Sequence, residues 1–223
     1  MKKVLIWGTT MFSKEMMNYV KINSENWDCI GFTLDKDYID TTTFCEYPVF
    51  AFEELSSNFN MDDIEIIPSI GYHNINQNRL RLFKKCKQKN YKIANFIDKS
   101  VVNYSKSIGY GNIILDYVQL NFDSVIGNGN IIKGNTTIAH DTIVGEFNYF
   151  AGTNHVGGDC KIGNYNFFGI SSIIKSSSTI GNSNLIGAAT YVDINLEDYS
   201  IISPAKNRTL KSNERSIKLL LNT

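Results

Sequence analysis

The sequence predicts an N-terminal α/β domain of Rossmann type over residues 1–98, a parallel β-helix of hexapeptide repeats over residues 99–198, and a C-terminal tail over residues 199–223. Three observations lead to this prediction. Apolar strands alternate with helical segments in the first half, an apolar residue recurs at every sixth position in the second half, and small residues stand two positions before most of these.

The first half alternates between strand and helix patterns, which is typical of a doubly wound parallel sheet. Residues 3–8 form an apolar run that ends at Gly8, and a helix is expected from about Phe12 to Ile22. The remaining expected elements are a strand over 29–34, a short strand at Pro48, an acidic helix start at Glu53, an apolar strand from Ile64 to Ile70, a basic helix from Asn76 to Lys89 and a last strand from Tyr91 to Ile97.

The six-residue period of the second half is unbroken over sixteen positions. Three hexads make one coil of a three-sided β-helix, so the apolar and small columns would stack into its interior, and about five coils fit between residues 101 and 197. The apolar column is Val102, Ile108, Ile114, Leu120, Ile126, Ile132, Ile138, Val144, Phe150, Val156, Ile162, Phe168, Ile174, Ile180, Ile186 and Val192.

Composition describes a soluble protein without a nucleic-acid or membrane partner. The chain is 43% apolar, and its 22 basic and 22 acidic residues give a net charge of zero. No basic surplus favours nucleic acid, and no apolar run approaches the roughly 20 residues of a membrane span. The four cysteines lack metal-ligand or redox spacing, and no signal region follows Lys3, so we expect a cytoplasmic protein with reduced thiols.

His140 is the leading candidate for chemistry within the repeat. It stands two positions after the apolar Ile138, faces outward, and is followed by Asp141. Histidine accepts a proton near neutral pH, and a neighbouring carboxylate can orient its ring. The position of His140 in the repeat, taken alone, also fits a surface or interface residue without a catalytic role.

Motifs spread over nearly the whole chain carry a resemblance to a known family. They are Val4-Leu5-Ile6-Trp7-Gly8, Ile30-Gly31-Phe32 with Asp35 after it, Tyr47-Pro48-Val49, Ile138-Ala139-His140-Asp141 with Val144-Gly145, and Ser203-Pro204-Ala205-Lys206. In these the chain resembles the hexapeptide-repeat sugar acyltransferases of the NeuD/PglD-like family. The resemblance implies a left-handed β-helix and a homotrimer with active sites between neighbouring subunits.

The resemblance also implies roles for individual residues. His140 would take a proton from a sugar amine or hydroxyl as it attacks the thioester of acetyl-CoA, with Asp141 holding the imidazole. The backbone N–H of Gly158, one coil later, would meet the oxyanion. The interpretation without catalysis is that Gly157 and Gly158 are turn glycines.

The same resemblance implies the cofactor contacts, and the positions of residues at strand ends and at a helix N-terminus suggest the acceptor contacts. Tyr149 stands where the family has a second histidine that contacts the cofactor, pantetheine would lie near Gly157, Ile174 and Ala188, and Lys206 would lie near the phosphates. In the N-terminal domain, which would bind the nucleotide-linked acceptor, the candidate contacts are Gly8, Thr9, Thr10, Asp35, His73 and Arg79. The alternative for His73 and Arg79 is an exposed loop and a solvated helix.

The sequence thus predicts an acetyl-CoA-dependent acetyltransferase acting on a bacterial surface-polysaccharide sugar precursor, with N-acetylation of a nucleotide-linked amino sugar as the leading reaction. O-acetylation of sialic acid or of another capsule or O-antigen sugar is the alternative. No metal is expected, because a zinc site of the carbonic anhydrase type needs three histidines. A non-catalytic scaffold is disfavoured because the outward positions form no regular surface.

Overall fold

The first half of the chain forms a six-stranded sheet in which only one edge strand is antiparallel to its neighbour. The computed structural model describes residues 1–204. The elements are β1 (Lys2–Trp7), α1 (Met11–Ile22), β2 (Trp27–Leu34), a 3-10 turn (Lys36–Tyr38), β3 (Thr43–Phe44), β4 (Tyr47–Ala51), a 3-10 turn (Phe52–Glu54), α2 (Leu55–Asn58), a 3-10 turn (Met61–Asp63), β5 (Ile64–Ile67), α3 (Gln77–Gln88) and β6 (Lys92–Ile93). The strand order is β3-β4-β2-β1-β5-β6, with β3 antiparallel to β4.

The two faces of this sheet bury different partners, because side chains alternate along each strand. Val4 and Ile6 of β1 pack with Met16 of α1 and with residues of the β-helix. Leu5, on the opposite face, packs with Leu82 of α3. Helices therefore cover both faces, and the β-helix completes the core beside α1.

The second half of the chain is a parallel β-helix made of two-residue strands. Each coil adds one strand to each of three stacked parallel sheets. The first sheet contains Phe96–Ile97, Ile113–Ile114, Ile131–Ile132, Tyr149–Phe150, Phe167–Phe168, Leu185–Ile186 and Ile201–Ile202; the second contains Val102–Asn103, Gln119–Leu120, Thr137–Ile138, His155–Val156, Ile173–Ile174 and Tyr191–Val192; the third contains Ser107–Ile108, Val125–Ile126, Ile143–Val144, Lys161–Ile162 and Thr179–Ile180.

The predicted inward columns are confirmed from Ile108 onward. The apolar column from Ile114 to Val192 is buried, and so is the small column from Asn112 to Thr190. The prediction is wrong at Val102, which is 41% exposed. In the first coil Asn103 pairs with Leu120, an offset of 17 positions, whereas Leu120 pairs with Ile138 at the regular 18. Val102 consequently turns outward.

Two predicted strands of the first half end differently from the expectation. β5 ends at Ile67 instead of Ile70, because Pro68 has no N–H to continue the ladder. The single strand expected from Tyr91 to Ile97 is split: Lys92–Ile93 pairs with β5, and Phe96–Ile97 pairs with Ile113–Ile114 of the β-helix. The chain crosses from one sheet to the other at this point. The exact division between domains at 98 and 99 stays a prediction.

None of the helices within residues 1–204 has the length and apolar character that crossing a bilayer requires. All four cysteines are free thiols. The sequence also predicts a terminal helix from Ser212 to Leu221, which lies outside the described residues.

Candidate active site

His140 lies at the corner where the second sheet of the β-helix turns into the third. Its Nδ1 lies 2.7 Å from Oδ2 of Asp141, and 65% of its side chain is exposed. With the Nδ1 proton donated to the carboxylate, Nε2 presents a lone pair to the outside. A general base needs this arrangement, in which one ring nitrogen is held and the other is accessible.

Gly158 lies directly beside the imidazole, one coil later. A Cβ atom at position 158 would come within 2.6 Å of the His140 Nε2, so only glycine leaves room for the ring. The main-chain N–H of Asp159 donates to the His140 carbonyl over 2.9 Å, which fixes the two coils relative to each other. Within residues 1–204 no acceptor takes the Gly158 N–H, and the residue is buried with the His140 ring against it.

Three aspartates follow one another along this corner of the helix. Asp123, Asp141 and Asp159 stand in successive coils, and all three side chains are exposed. Each adopts a left-handed backbone conformation, with φ of 59°, 57° and 56°, which Asp tolerates better than most residues. Exposed lysines stand on the same corner at both ends of this row, Lys106 before Asp123 and Lys175 after Asp159, so the carboxylates favour a cationic group only close to His140.

The predicted cofactor contacts are only partly brought together. Gly157 adjoins Gly158, and Ala188 is exposed at a later corner. The side chain of Ile174 is 1% exposed and points into the β-helix core, so it offers no outer surface. Lys206 lies outside the described residues.

Tyr149 lies on the first sheet, opposite the corner that holds His140. Its ring stacks on Phe167 with centroids 5.6 Å apart and meets the edge of Tyr72 at 5.2 Å. Burial raises the pKa of the Tyr149 hydroxyl to about 12. The side chain thus fills the contact between the β-helix and the α/β sheet, away from the imidazole.

A cavity of about 500 Å³ opens at the carboxyl ends of β1, β2 and the segment after β5. Parallel α/β sheets bind ligands at this edge. Of the predicted acceptor contacts, it is lined by Gly8, Thr9, Thr10 and Asp35. Gly8 has a φ of +107°, and Thr10 caps α1 by accepting from the Ser13 N–H, so the turn points the first amides of α1 toward the cavity.

Two basic residues that the sequence analysis missed also line this cavity. Lys85 Nζ lies 2.5 Å from one oxygen of Asp35, and Arg81 lies 3.4 Å from the other. Two cations against one carboxylate leave a positive wall beside a helix N-terminus, which suits a phosphate group. The sequence feature that could have identified these two residues is the i, i+4 spacing of Arg81 and Lys85 on α3, which puts both on one face of the helix.

The structure does not bring His73 or Arg79 into the cavity. His73 is exposed and stacks on Tyr72, with ring centroids 5.2 Å apart. Arg79 is fully buried, and burial lowers the pKa of its guanidinium. Its donors are used within the protein, by the carbonyls of Gly129, Phe147, Asn148, Ile70 and Gly71 and by the side chain of Asn76.

Residues 1–204 contain no group of three His, Cys, Asp or Glu side chains placed to hold a metal ion.

No protein-family model and no curated protein sequence matches this chain. Several solved structures, however, match this chain. The acetyltransferase domain of PglB from Neisseria gonorrhoeae is 17% identical, with a TM-score of 0.80 over 92% of this chain and 97% of that one. WeeI from Acinetobacter baumannii is 18% identical, with a TM-score of 0.79 over 90% and 96% of the two chains.

PerB from Caulobacter crescentus, solved in complex with CoA and GDP-perosamine, is 21% identical, with a TM-score of 0.76 over 91% of this chain and 94% of that one. At these identities the likeness establishes a shared fold. It extends over both halves of the chain, so the α/β sheet and the β-helix occur together in all three structures.

Proposed function

We propose that this protein is an acetyl-CoA-dependent acetyltransferase that acetylates the amino group of a nucleotide-linked sugar, a precursor of a bacterial surface polysaccharide. The observation that carries the proposal is the His140–Asp141 pair beside Gly158, whose N–H meets no acceptor within residues 1–204. The shared fold with the PglB acetyltransferase domain and with PerB supports it.

The proposed reaction follows from the atoms at this corner. The ammonium group of the bound sugar first loses one proton to solvent. The neutral nitrogen then attacks the thioester carbon while His140 Nε2 removes a second proton from it, and Asp141 stabilises the imidazolium that forms. The carbonyl oxygen becomes an oxyanion that accepts from the Gly158 N–H. When the C–S bond breaks, the CoA sulfur leaves with the electron pair and takes up the proton from His140.

The aspartate column favours an amine over a hydroxyl as the acceptor. An amino sugar arrives as an ammonium ion at neutral pH, and Asp123, Asp141 and Asp159 attract that charge. A neutral sugar hydroxyl gains no charge attraction from these carboxylates, whereas Asp141 would orient His140 for either acceptor. The solved complex of PerB contains an amino-sugar nucleotide, GDP-perosamine, which agrees with this choice.

The cavity beside Arg81 and Lys85 is the proposed site for the nucleotide part of the acceptor. It lies at the edge of the α/β sheet, whereas His140 lies on the corner of the β-helix opposite the sheet that faces this domain. We therefore propose a homotrimer with a left-handed β-helix, in which the cavity of one subunit serves the histidine of its neighbour. Pantetheine would lie along the later coils, past Gly157 and toward Ala188.

A thiol-release assay with acetyl-CoA and a panel of nucleotide-linked amino sugars that includes GDP-perosamine tests the proposal. We expect the wild type to release CoA with at least one amino sugar, and His140→Ala to lower kcat by about a hundredfold or more, since general-base catalysis contributes typically 10²–10⁴-fold. Asp141→Asn should reduce kcat less. His155→Ala is the matched control, because His155 is also exposed on the β-helix but lies on a different column.

Wild-type activity that persists in His140→Ala would refute the base assignment. The panel also includes, for each amino sugar, the matched nucleotide sugar with a hydroxyl in place of the amino group. Release of CoA only with these hydroxyl acceptors would replace N-acetylation by O-acetylation, and no release with any acceptor would refute the enzymatic proposal as a whole.

A further inference from the structure

Two exposed aromatic rings stack on the same corner of the β-helix as His140, in the coils before it. Phe122 and Tyr104 have ring centroids 4.6 Å apart and an angle of 14° between their planes. They are 64% and 54% exposed, so they fill no core. Phe122 stands 18 positions before His140, which is one coil of the regular repeat.

The imidazole does not cover this aromatic pair. It leans toward the following coil, where Gly158 leaves it room, and no ring contact joins it to Phe122 within the described chain. Phe122 and Gly158 consequently stand on opposite sides of His140 along the helix axis. Adjacent strands of a sheet are about 4.8 Å apart, so Phe122 lies within reach of a six-membered ring whose nitrogen is at Nε2.

The two reactants must approach Nε2 from different sides. The acyl carbon lies on the side of Gly158, because the oxyanion needs the N–H of that residue. The side of Phe122 is then left for the acceptor. Exposed aromatic faces bind the C–H faces of sugar rings, because such a contact buries apolar surface and places polarised C–H groups on the negative face of the π system.

We propose that Phe122, supported by the stacked ring of Tyr104, is the platform on which the pyranose ring of the acceptor lies during transfer, with its amino group directed to His140. This inference rests on the proposed acetyltransferase activity. It gives the two residues a positioning role that favours acceptors with an apolar ring face. Asp123, next to Phe122, lies on the side where the ammonium group enters.

The test compares Phe122→Ala and Phe122→Tyr with the wild type, with the best nucleotide-linked amino sugar from the panel as acceptor. We expect Phe122→Ala to raise the KM for the acceptor about tenfold and to leave the KM for acetyl-CoA within about twofold, since one stacking contact is of this order. Phe122→Tyr keeps the ring and should restore the wild-type KM. Tyr117→Ala is the control: Tyr117 is also 64% exposed but lies on another corner, so its removal should change neither constant.

The outcomes separate this inference from the proposed function. An active wild type with an unchanged acceptor KM in Phe122→Ala overturns the platform and leaves the acetyltransferase intact. A wild type without transfer activity overturns both. Light scattering gives the remaining criterion: a Phe122→Ala protein that dissociates into monomers, while Phe122→Tyr does not, would assign the aromatic pair to an interface between copies of the chain instead.

Discussion

At position 158 the geometry leaves room for a hydrogen atom and for nothing larger. A methyl group there would meet the His140 ring at Nε2, the atom proposed to accept the proton. The backbone of Gly158 does not have the left-handed conformation that disfavours other residues. The requirement for glycine at this position therefore comes from the imidazole, not from the main chain.

Gly158→Ala should separate activity from stability. Because the new methyl group displaces the imidazole and leaves the coil intact, we expect kcat to fall by about tenfold to a hundredfold. The thermal midpoint should stay within a few degrees of the wild type. Steady-state rates and thermal unfolding measure the two quantities.

Gly71→Ala is the control, since a Cβ at position 71 meets nothing within 4 Å. Equal rates in the wild type and in Gly158→Ala would mean that catalysis does not depend on the position of the His140 ring against residue 158.

Side chains of this corner show which functional residues a sequence can reveal. His140 and Asp141 are adjacent in the chain, so a motif contains both. The i, i+4 spacing puts Arg81 and Lys85 on one face of α3, but they meet Asp35 only after α3 has packed against the sheet, and the spacing does not name that partner. Phe122 falls in line with His140 only once the coil length of 18 positions is known.

At the scale of the element, an asparagine ladder holds the coils of the β-helix together. Oδ1 of Asn148 accepts from the main-chain N–H of Asn166 over 2.9 Å, and its Nδ2 donates to the carbonyl of Gly163 over 2.9 Å. Asn130 repeats this pattern one coil earlier, with Asn148 and Gly145 as partners. All these asparagine side chains are buried, and each bond pairs a backbone group that is buried or half-buried in the stack of coils.

Asn148→Ala should destabilise the β-helix by about 1–3 kcal/mol, because it leaves the N–H of Asn166 and the carbonyl of Gly163 without their side-chain partners. Asn184→Ala is the matched control at the end of the ladder. Asn184 accepts one bond, from Ser200, and its Nδ2 has no partner within residues 1–204. Asn184→Ala should lower the free energy of unfolding, measured in urea, clearly less than Asn148→Ala does. An equal loss in both variants would show that the ladder contributes nothing beyond the volume of the side chains.

The period of six predicted the β-helix almost without error, because interior packing requires a residue of suitable size at each inward position. Its one failure, at Val102, lies where the first coil is a residue short. The apolar pattern does not reveal that the first coil is one residue short, because the residue at the expected inward position, Val102, is itself apolar. The split of the strand from Tyr91 to Ile97 was missed for a similar reason: the apolar pattern does not state which sheet each half joins.

At the scale of the whole molecule, the two halves share one core and one buried cation. Val4 and Met16 of the α/β sheet pack in the same cluster as Ile113 and Tyr149 of the β-helix. Arg79 crosses this contact from α3 and donates to three β-helix carbonyls over 2.9–3.1 Å. The sequence placed Arg79 among the acceptor contacts because a basic residue at this edge of a sheet usually meets a ligand. The helix pattern alone does not show that the side chain of Arg79 is buried.

Arg79→Ala should loosen the α/β half more than the β-helix. The substitution leaves buried carbonyls on both sides without a charged donor, and such a network is worth about 3 kcal/mol. Both tryptophans, Trp7 and Trp27, lie buried in the α/β half, so fluorescence follows this half. Hydrogen exchange of the main-chain amides in the β-helix strands from Ile113 to Val192, measured in the same urea titration, follows the other half. In the wild type the two signals should change together in a urea titration.

In Arg79→Ala we expect the fluorescence midpoint to fall further than the hydrogen-exchange midpoint of the β-helix, because the contact that made the halves unfold as one unit has been weakened. Arg81→Ala, two residues away and exposed on the same helix, should keep both midpoints together and change stability by no more than about 0.5 kcal/mol. Coincident midpoints in Arg79→Ala, at the urea concentration found for Arg81→Ala, would mean that apolar packing alone joins the halves and that the buried guanidinium is dispensable.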